Sequence, residues 1–374
     1  TEGGLRYLIA AGCLSQLHGQ ELLDELPELD AVVGVAHFTD MVSIVEAVER
    51  GERVCRGGPA PVMFTEKGPR VVSTPPGSAY LKIADGCDNR CSYCAIPDIR
   101  GRLRSRPVQE LYQEAAELVK KHGIRELTVI AQDSARYGHD LGGQDLLPEL
   151  LAALDAVDGL EWVRLMYLHP AHMNDAIIEA IAASAKTVAY LDIPIQHASD
   201  RILNSMNRRH DRAAMARLFA HLRSAIPDVA LRTTVMVGFP GETDDDFRIL
   251  CDFIAETQFD WLGAFVYNPQ QNTPAAALSG AVPDDVKAMR LDTVMQMQRE
   301  ITRQRNLTRV GRSEKILVSS RISRNLYSGR SCFQAPEVDG LSLVRTPRQL
   351  KTGEFVEVVY EALRDYDLIG DLVE

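Results

Sequence analysis

The feature that most constrains the fold is a regular alternation of short apolar runs with helical patterns over residues 79–306. Runs rich in β-branched residues predict strands, and the segments between them carry the period of amphipathic helices. Such alternation indicates a parallel sheet, either an open doubly wound sheet or a curved, incomplete barrel, with its site at the carboxyl ends of the strands. The predicted strands are 79–84, 126–132, 161–168, 188–195, 230–239 and 260–267, and the predicted helices are 107–121, 143–156, 171–184, 199–225, 243–257 and 283–306.

The rest of the chain divides into three further segments. Residues 1–55, with a strand predicted in 5–12, have the pattern of part of an α/β domain. Residues 56–78 are rich in Gly, Pro, Ser and Thr, which is typical of a linker. Residues 307–374 contain short apolar runs separated by turn residues, which predict a small antiparallel β-barrel.

Charge and cysteine usage narrow the class of protein. The formal net charge is −11, whereas proteins that bind nucleic acid through phosphates are usually basic. No uninterrupted apolar stretch is long enough to cross a membrane. The seven cysteines are odd in number, and three of them lie within eight residues, which indicates metal or cluster binding in a reducing compartment. We therefore predict a cytoplasmic protein without membrane association.

The three crowded cysteines are Cys87, Cys91 and Cys94, in a C-x3-C-x2-C spacing directly after the first predicted strand. Ferredoxin clusters use four cysteines, so three thiolates would leave one iron of a 4Fe–4S cubane open. An open iron can bind S-adenosylmethionine, and one electron then cleaves the sulfonium to a 5′-deoxyadenosyl radical. The alternative is structural zinc, which needs a fourth Cys or His close by. The loop offers no further Cys, and no His lies between His37 and His122, so we favour the cluster.

This motif and its surroundings resemble the radical S-adenosylmethionine superfamily, and within it the methylthiotransferase branch. The resemblance implies an N-terminal cluster domain, an incomplete (β/α)6 radical core and a C-terminal barrel called TRAM. It covers essentially the whole chain, and its motifs are long and mutually ordered. They lie at residues 80–87, 96–97, 100–101, 105–107, 194–196, 199–203, 206–209, 232–234 and 238–243.

Members of that branch carry a second 4Fe–4S cluster on three cysteines of the N-terminal domain. Cys13, in the turn 11–16, matches the last of these, and the resemblance places the other two upstream. We therefore expect that this chain lacks the first part of that domain, and that the full-length protein carries two clusters. The alternative for Cys13 is a small buried apolar side chain after a strand. Cys55 matches no ligand position of the family.

Several side chains at predicted strand ends are candidates for cofactor binding. Gly238 and Glu242 lie in the turn 238–243, where the helix that follows attracts anionic groups, so they are candidates for the methionyl carboxylate or the ribose. The alternative is a tight turn in which Glu242 or Thr243 caps the helix. Arg232 is predicted to face the interior and bind a carboxylate, because an unpaired Arg is not buried in a sheet.

Three more candidates follow from position. Gln132 and Gln196 end the second and fourth predicted strands, where site residues collect, although hydrogen bonding of the strand ends is the alternative. Tyr93 precedes the last cysteine and could pack against the adenine or shield the cluster from water. The basic segment 206–210 is predicted to be a solvated helix end, and the alternative is a contact with the substrate. We assign no residue as a catalytic acid or base.

The branch contains two substrate classes: adenosine in transfer RNA, and an aspartate of small-subunit ribosomal protein twelve in the RimO type. The segments 131–138, 335–340 and 365–368 look RimO-like, the first because Gln-Asp is followed by Tyr-Gly. The C-terminal segment 307–374 carries ten basic and ten acidic residues, whereas a barrel that binds RNA should be basic. An acidic enzyme would attract a basic ribosomal protein.

The resemblance therefore predicts addition of a methylthio group to the β-carbon of that aspartate. One S-adenosylmethionine would supply the methyl group and another the radical, with an electron donor as partner. The substrate would be the basic ribosomal protein alone or within the small subunit, and transfer RNA would bind poorly. Two alternatives remain: methylthiolation of adenosine in transfer RNA, and a non-catalytic iron–sulfur scaffold that binds RNA or the ribosome.

Overall fold

The computed structural model describes residues 4–58 and 70–373. Residues 59–69 of the predicted linker therefore lie outside the described residues. The N-terminal segment forms a three-stranded parallel sheet in the order β1-β2-β3, in which short apolar strands alternate with helices as the sequence pattern predicts. Its elements are β1 (Ile9–Ala11), α1 (Cys13–Glu25), β2 (Ala31–Val33), α2 (Met41–Glu49) and β3 (Val54–Arg56).

The central segment is a six-stranded parallel sheet that does not close, with strands in the order β11-β10-β9-β8-β7-β4, each beside its neighbour along the chain. This is the incomplete (β/α)6 barrel predicted above, and a separate antiparallel pair, β5 and β6, follows its first strand. Its strands are β4 (Ser78–Lys82), β5 (Ala84–Asp85), β6 (Arg104–Ser105), β7 (Glu126–Ile130), β8 (Trp162–Leu165), β9 (Thr187–Asp192), β10 (Ala230–Val237) and β11 (Trp261–Val266). Its helices are α3 (Ile96–Arg100), α4 (Val108–His122), α5 (Leu147–Asp155), α6 (Asp175–Ala183), α7 (Asp200–Ser205), α8 (Arg212–Ala225), α9 (Asp244–Thr257) and α10 (Asp284–Leu307).

The helix predicted over residues 199–225 is two helices in the structure. The chain breaks between α7 and α8 at Asn207, whose φ of 55° is left-handed and cannot continue a helix. Asp211 then caps α8, because its side chain accepts a hydrogen bond from the backbone N–H of Ala214. The prediction of one helix over 199–225 was wrong because apolar periodicity continues across this turn.

The two faces of the central sheet bury different partners. Side chains such as Leu127 and Val235 pack under the surrounding helices in the main core. Trp162, Tyr190 and Trp261 lie on the other face, which we call the lumen, and pack with apolar side chains of the C-terminal barrel. The amino-terminal half of the lumen is therefore filled by protein, and its other half lies below the carboxyl ends of the strands.

The C-terminal segment is a closed five-stranded barrel in the order β12-β13-β14-β16-β15. The prediction of a barrel is confirmed, although one pair, β14 and β16, is parallel. Residues 331–341, which we call the barrel loop, connect the second and third of these strands and contact the lumen. The strands are β12 (Ser313–Ser323), β13 (Leu326–Arg330), β14 (Ser342–Arg345), β15 (Phe355–Arg364) and β16 (Asp367–Leu372). Over the described part of the chain, no helix combines the length and apolar character needed to cross a bilayer.

Candidate functional site

The cysteine loop lies at the carboxyl edge of the sheet, directly after β5. It is closed by backbone hydrogen bonds: the N–H of Cys87 donates to Gly101 O at 3.1 Å, and the N–H of Cys94 donates to Cys91 O at 3.1 Å. Gly86 begins the loop with a φ of +76°, and a Cβ there would meet the carbonyl oxygen of Arg102 at 2.0 Å. Only glycine fits this position, so the loop conformation that gathers the thiols is built into the sequence.

The residue types in this loop indicate a cluster and not a mononuclear zinc site. Structural zinc is held by four Cys or His ligands. Cys87, Cys91 and Cys94 are the only Cys or His residues of this loop. A donor set of three thiolates fits a 4Fe–4S cluster with one open iron.

Burial disfavours free thiolates in this loop. It raises the pKa of the Cys87 thiol to about 12, and the neighbouring thiols and Asp133 act in the same direction. It also raises the pKa of Cys94. A coordinating metal removes thiol protons outright, because its positive charge outweighs this desolvation. The loop is therefore arranged to hold three thiolates when a positively charged group binds among them.

Arg208 reaches one of these sulfurs. Its Nη1 lies 3.7 Å from Cys91 Sγ, and its Nη2 donates to Pro194 O at 2.6 Å. The side chain is only 7% exposed. The prediction that 206–210 is a solvated helix end was therefore wrong for Arg208. The reason is the turn at Asn207, whose side chain donates to Arg90 O at 2.6 Å and directs the next residue inward.

We expect Arg208→Met to lower the midpoint reduction potential of the cluster that these cysteines hold, by an amount on the order of tens of millivolts. A guanidinium beside a cysteine sulfur favours the more negative, reduced state, and the apolar side chain removes that charge. Arg208→Lys should recover part of the shift, and the exposed neighbour Arg209 supplies the control Arg209→Met. Potentiometric titration of the reconstituted proteins measures it, and equal potentials in Arg208→Met and wild type would contradict the assignment.

Asp133 links the cysteine loop to the segment after β8. Its Oδ2 accepts hydrogen bonds from Asn89 Nδ2 at 2.7 Å and is 2.6 Å from His172 Nδ1. The His169 ring stacks on that of His172, and burial together with Arg208 holds the pKa of His169 far below its ordinary value. The sequence analysis did not predict this group. The signal that could have found it is position, because Asp133 follows the end of β7 and both histidines follow the end of β8.

The predicted turn at Gly238 is confirmed in shape, with a φ of +73°, and a Cβ there would meet Lys287 Cγ at 2.3 Å. Glu242 braces it: Oε2 accepts from the N–H of Gly238 at 2.8 Å, and Oε1 accepts from Arg290 at 2.7 Å. Thr243, not Glu242, caps α9, in a capping box with Asp246. The carboxylate of Glu242 is thus held by protein donors, and cofactor binding at Gly238 and Glu242 stays a prediction.

Gln132 and Gln196 share one property. Each has a buried side-chain oxygen that accepts no hydrogen bond from the described residues. Gln196 also has a left-handed φ of 67°, and its N–H donates to Thr234 O at 2.9 Å, which extends the pairing of β10. A buried, unpartnered acceptor usually requires a missing ligand or water. The geometry supports the predicted cofactor contacts, which stay predictions.

Tyr93 and Arg232 have different surroundings. Tyr93 packs against an apolar group, and burial raises its pKa. Arg232 faces the lumen, but it already pairs with two carboxylates of the chain: Asp192 at 2.8 Å and Asp339 of the barrel loop at 3.5 Å. The adenine contact of Tyr93 and the ligand contact of Arg232 stay predictions. The apolar group around Tyr93 comprises Ile202, Met206, Met236, Phe239, Tyr267 and Ala275.

Cys13 is exposed at the start of α1 and interacts with Arg100 through a side-chain hydrogen bond. Arg100 in turn donates to Asp85 Oδ1 at 3.0 Å, two residues before Cys87. The N-terminal sheet therefore presents Cys13 toward the side of the core that carries the cysteine loop. Its ligand role stays a prediction. Cys55 packs with apolar side chains of the N-terminal unit.

Comparison with known proteins agrees with this geometry. The family model of the radical SAM superfamily matches residues 81–254, and that of the TRAM domain matches residues 310–373. The ribosomal protein uS12 methylthiotransferase RimO of Syntrophomonas wolfei is 53% identical over 370 residues, which cover 99% of this chain and 84% of that protein. The protein of the same name from Clostridioides difficile is 41% identical, with coverage of 99% and 83%.

Among solved structures, the radical S-adenosylmethionine methyltransferase TsrM from Kitasatospora setae, with cobalamin and a [4Fe-4S] cluster bound, is similar in fold. Its TM-score is 0.56 at 16% identity, over 72% of this chain and 58% of that one. The same protein with tryptophan and a S-adenosylmethionine analogue bound gives a TM-score of 0.54, with coverage of 72% and 57%. At this identity the likeness concerns the fold alone, and it agrees with the incomplete barrel described above.

Proposed function

Because the chain belongs to the RimO family of ribosomal protein uS12 methylthiotransferases, we propose that it adds a methylthio group to the β-carbon of an aspartate of uS12. It is a radical S-adenosylmethionine enzyme, and its cofactors are the 4Fe–4S cluster and S-adenosylmethionine. When bound, these cofactors supply a radical able to take hydrogen from unactivated carbon. The observation that carries the proposal is the loop at the carboxyl edge of the strands, which holds three cysteines and offers no fourth Cys or His ligand.

The chain's own residues would act by binding and orientation. Cys87, Cys91 and Cys94 would hold the cluster, with Arg208 beside the second of these sulfurs. The free oxygens of Gln132 and Gln196 would accept hydrogen bonds from S-adenosylmethionine. Since the barrel packs against the lower lumen, it would shield the site from solvent on that side. Water exclusion of this kind protects reactive intermediates.

The charges of the barrel support a protein substrate over transfer RNA. Arg345, an exposed cation on β14, pairs with Asp371 at 2.7 Å and with Glu361 at 2.5 Å. Arg299 of α10 pairs with Asp365 at 2.7 Å. Cations that are already paired offer little to a phosphate backbone. We further propose that the enzyme acts in the cytoplasm, takes its electrons from a separate donor and binds transfer RNA poorly.

Mass spectrometry of two candidate substrates tests this function. We expect anaerobic incubation of the full-length enzyme with S-adenosylmethionine, a reductant and a sulfur source to give a methylthio adduct on one aspartate of uS12. Transfer RNA treated in parallel should remain unmodified, because the C-terminal segment 307–374 carries ten basic and ten acidic residues and has no net positive charge. An adduct on transfer RNA with none on uS12 would overturn the proposal in favour of the other branch, and no S-adenosylmethionine cleavage at all would favour a scaffold.

A further inference from the structure

The barrel loop is fixed to the lumen at both of its ends. Arg164 donates to the carbonyl of Cys332 at 2.7 Å, and the indole of Trp261 donates to the carbonyl of Phe333 at 2.7 Å. At the other end, Asp339 accepts from the Tyr190 hydroxyl at 2.6 Å. Between these anchors, Glu337 is exposed. The barrel loop therefore presents a short tip at the floor of the open part of the lumen.

That tip is strained. Glu337 has a φ of 70°, in the left-handed region that non-glycine residues seldom adopt. Tyr167, which follows β8, has a φ of 61° and is 45% exposed. Its backbone N–H donates to Asp192, so the wall that carries it is anchored to the same ion-pair network as the barrel loop. Two exposed side chains on backbone positions with a left-handed φ, held by rigid anchors, are typical of a binding site.

The buried charges around the lumen balance one another without Glu337. The buried ions of the lumen form two networks, one of Glu126 with two arginines and one of Arg232 with two aspartates. Together they contain three cations and three anions, so they balance: Arg164, Arg330 and Arg232 against Glu126, Asp192 and Asp339. Glu337 forms no hydrogen bond or ion pair with any residue of the described ranges 4–58 and 70–373. It is therefore an anion that the protein itself leaves unmatched.

Tyr80 completes the surroundings of this carboxylate. In the strand register it lies beside Thr128, which lies beside Arg164, so its side chain shares the lumen face. Burial raises the pKa of Tyr80 and of Tyr167, and the Glu337 carboxylate raises both further. The carboxylate thus lies within electrostatic range of both phenols. An unmatched carboxylate in electrostatic range of two phenols is a favourable setting for an ammonium or guanidinium group.

We infer that Glu337, Tyr80 and Tyr167 form a cation-binding subsite that takes a lysine or arginine side chain of the protein substrate. The inference rests on the proposed function, since a ribosomal protein is basic and must enter the lumen to reach the cysteine loop. By holding a basic side chain at the floor, the subsite would orient the substrate polypeptide with its aspartate toward the carboxyl edge of the strands. It would act in specificity and not in the chemical step.

The test uses Glu337→Gln in the reconstituted full-length enzyme, with uS12 as the probe. We expect the affinity for uS12 to fall about tenfold, as for loss of a charge contact at a binding site, while 5′-deoxyadenosine formation without uS12 stays as in wild type. Glu361→Gln, which removes an exposed carboxylate on another face of the barrel, is the matched control. Unfolding midpoints of both variants should match wild type, because both side chains are exposed.

Partner variants of the substrate identify the contact. Single Lys→Ala or Arg→Ala changes near the target aspartate of uS12 should include one that weakens binding to wild type but not to Glu337→Gln. If wild-type enzyme modifies uS12 and Glu337→Gln binds it equally well, the subsite is refuted and the function stands. If wild type neither binds nor modifies uS12, the proposed function fails and the subsite fails with it.

Discussion

The variants Cys87→Ala, Cys91→Ala and Cys94→Ala are each expected to lose the radical cluster and with it all cleavage of S-adenosylmethionine. A cubane that already lacks one protein ligand cannot stay bound on two thiolates, because two irons would then be open. Iron content after anaerobic reconstitution should fall by one cluster, and 5′-deoxyadenosine should drop below detection. Chromatography of the reaction mixture and the electron paramagnetic resonance of the reduced protein measure both effects.

Cysteines outside the loop supply the controls. Cys55 packs in the N-terminal unit, and Cys251 lies in α9 against the main core, so Cys55→Ala and Cys251→Ala should leave 5′-deoxyadenosine formation intact. Thermal unfolding of each variant separates loss of the cluster from loss of the fold. Continued 5′-deoxyadenosine formation in any one of the three loop variants would contradict the ligand assignment.

Much of the fold follows from local pattern. The observed β7, Glu126–Ile130, and β10, Ala230–Val237, lie within the predicted runs, because the side of each strand that packs under the helices is apolar. The cysteine loop could also be predicted from the sequence, since C-x3-C-x2-C is a local signal whose meaning does not depend on distant residues. Gly86, which begins that loop, shows how one backbone requirement fixes its shape.

What the sequence could not predict are contacts between distant segments. Arg208 approaches Cys91 across 117 residues, and Asp133 pairs with His172 across 39 residues. Neither pair has a characteristic spacing, because the fold and not the chain brings the partners together. The unpredicted parallel pair of β14 and β16 has the same origin, since antiparallel order was inferred from short turns alone.

Glu126 is the residue on which we expect the largest loss of stability. It is fully buried at the start of β7, where its carboxylate lies 3.0 Å from Arg164 Nε and 3.1 Å from Arg330 Nη1 of the C-terminal barrel. The neutral substitution Glu126→Gln leaves two guanidinium groups facing each other without their anion. Breaking a buried ion pair in this way costs about 3–5 kcal/mol of unfolding free energy. The barrel should therefore separate from the core at lower denaturant concentrations.

The pKa of Glu126 gives the pH dependence of this contribution. Although burial alone would raise it, Arg330 and Arg164 hold the pKa at about 2, below the ordinary value of 4.5. A lowered pKa in the folded protein means stability that is complete above the ordinary value and is lost as pH falls toward 2. Wild type should therefore lose about 3 kcal/mol from this residue between pH 6 and pH 2, and Glu126→Gln should lose none of it.

Tryptophan fluorescence measures the loss of stability in Glu126→Gln. Both tryptophans of the chain, Trp162 and Trp261, lie in the apolar contact between the lumen and the barrel, so their emission reports on the interface. Urea titrations at pH 7 should show the midpoint of Glu126→Gln well below that of wild type. Glu117→Gln, an exposed change on α4, should leave the midpoint in place. Because an uncompensated pair of buried cations cannot be stable without cost, equal midpoints for Glu126→Gln and wild type would show that water reaches this network.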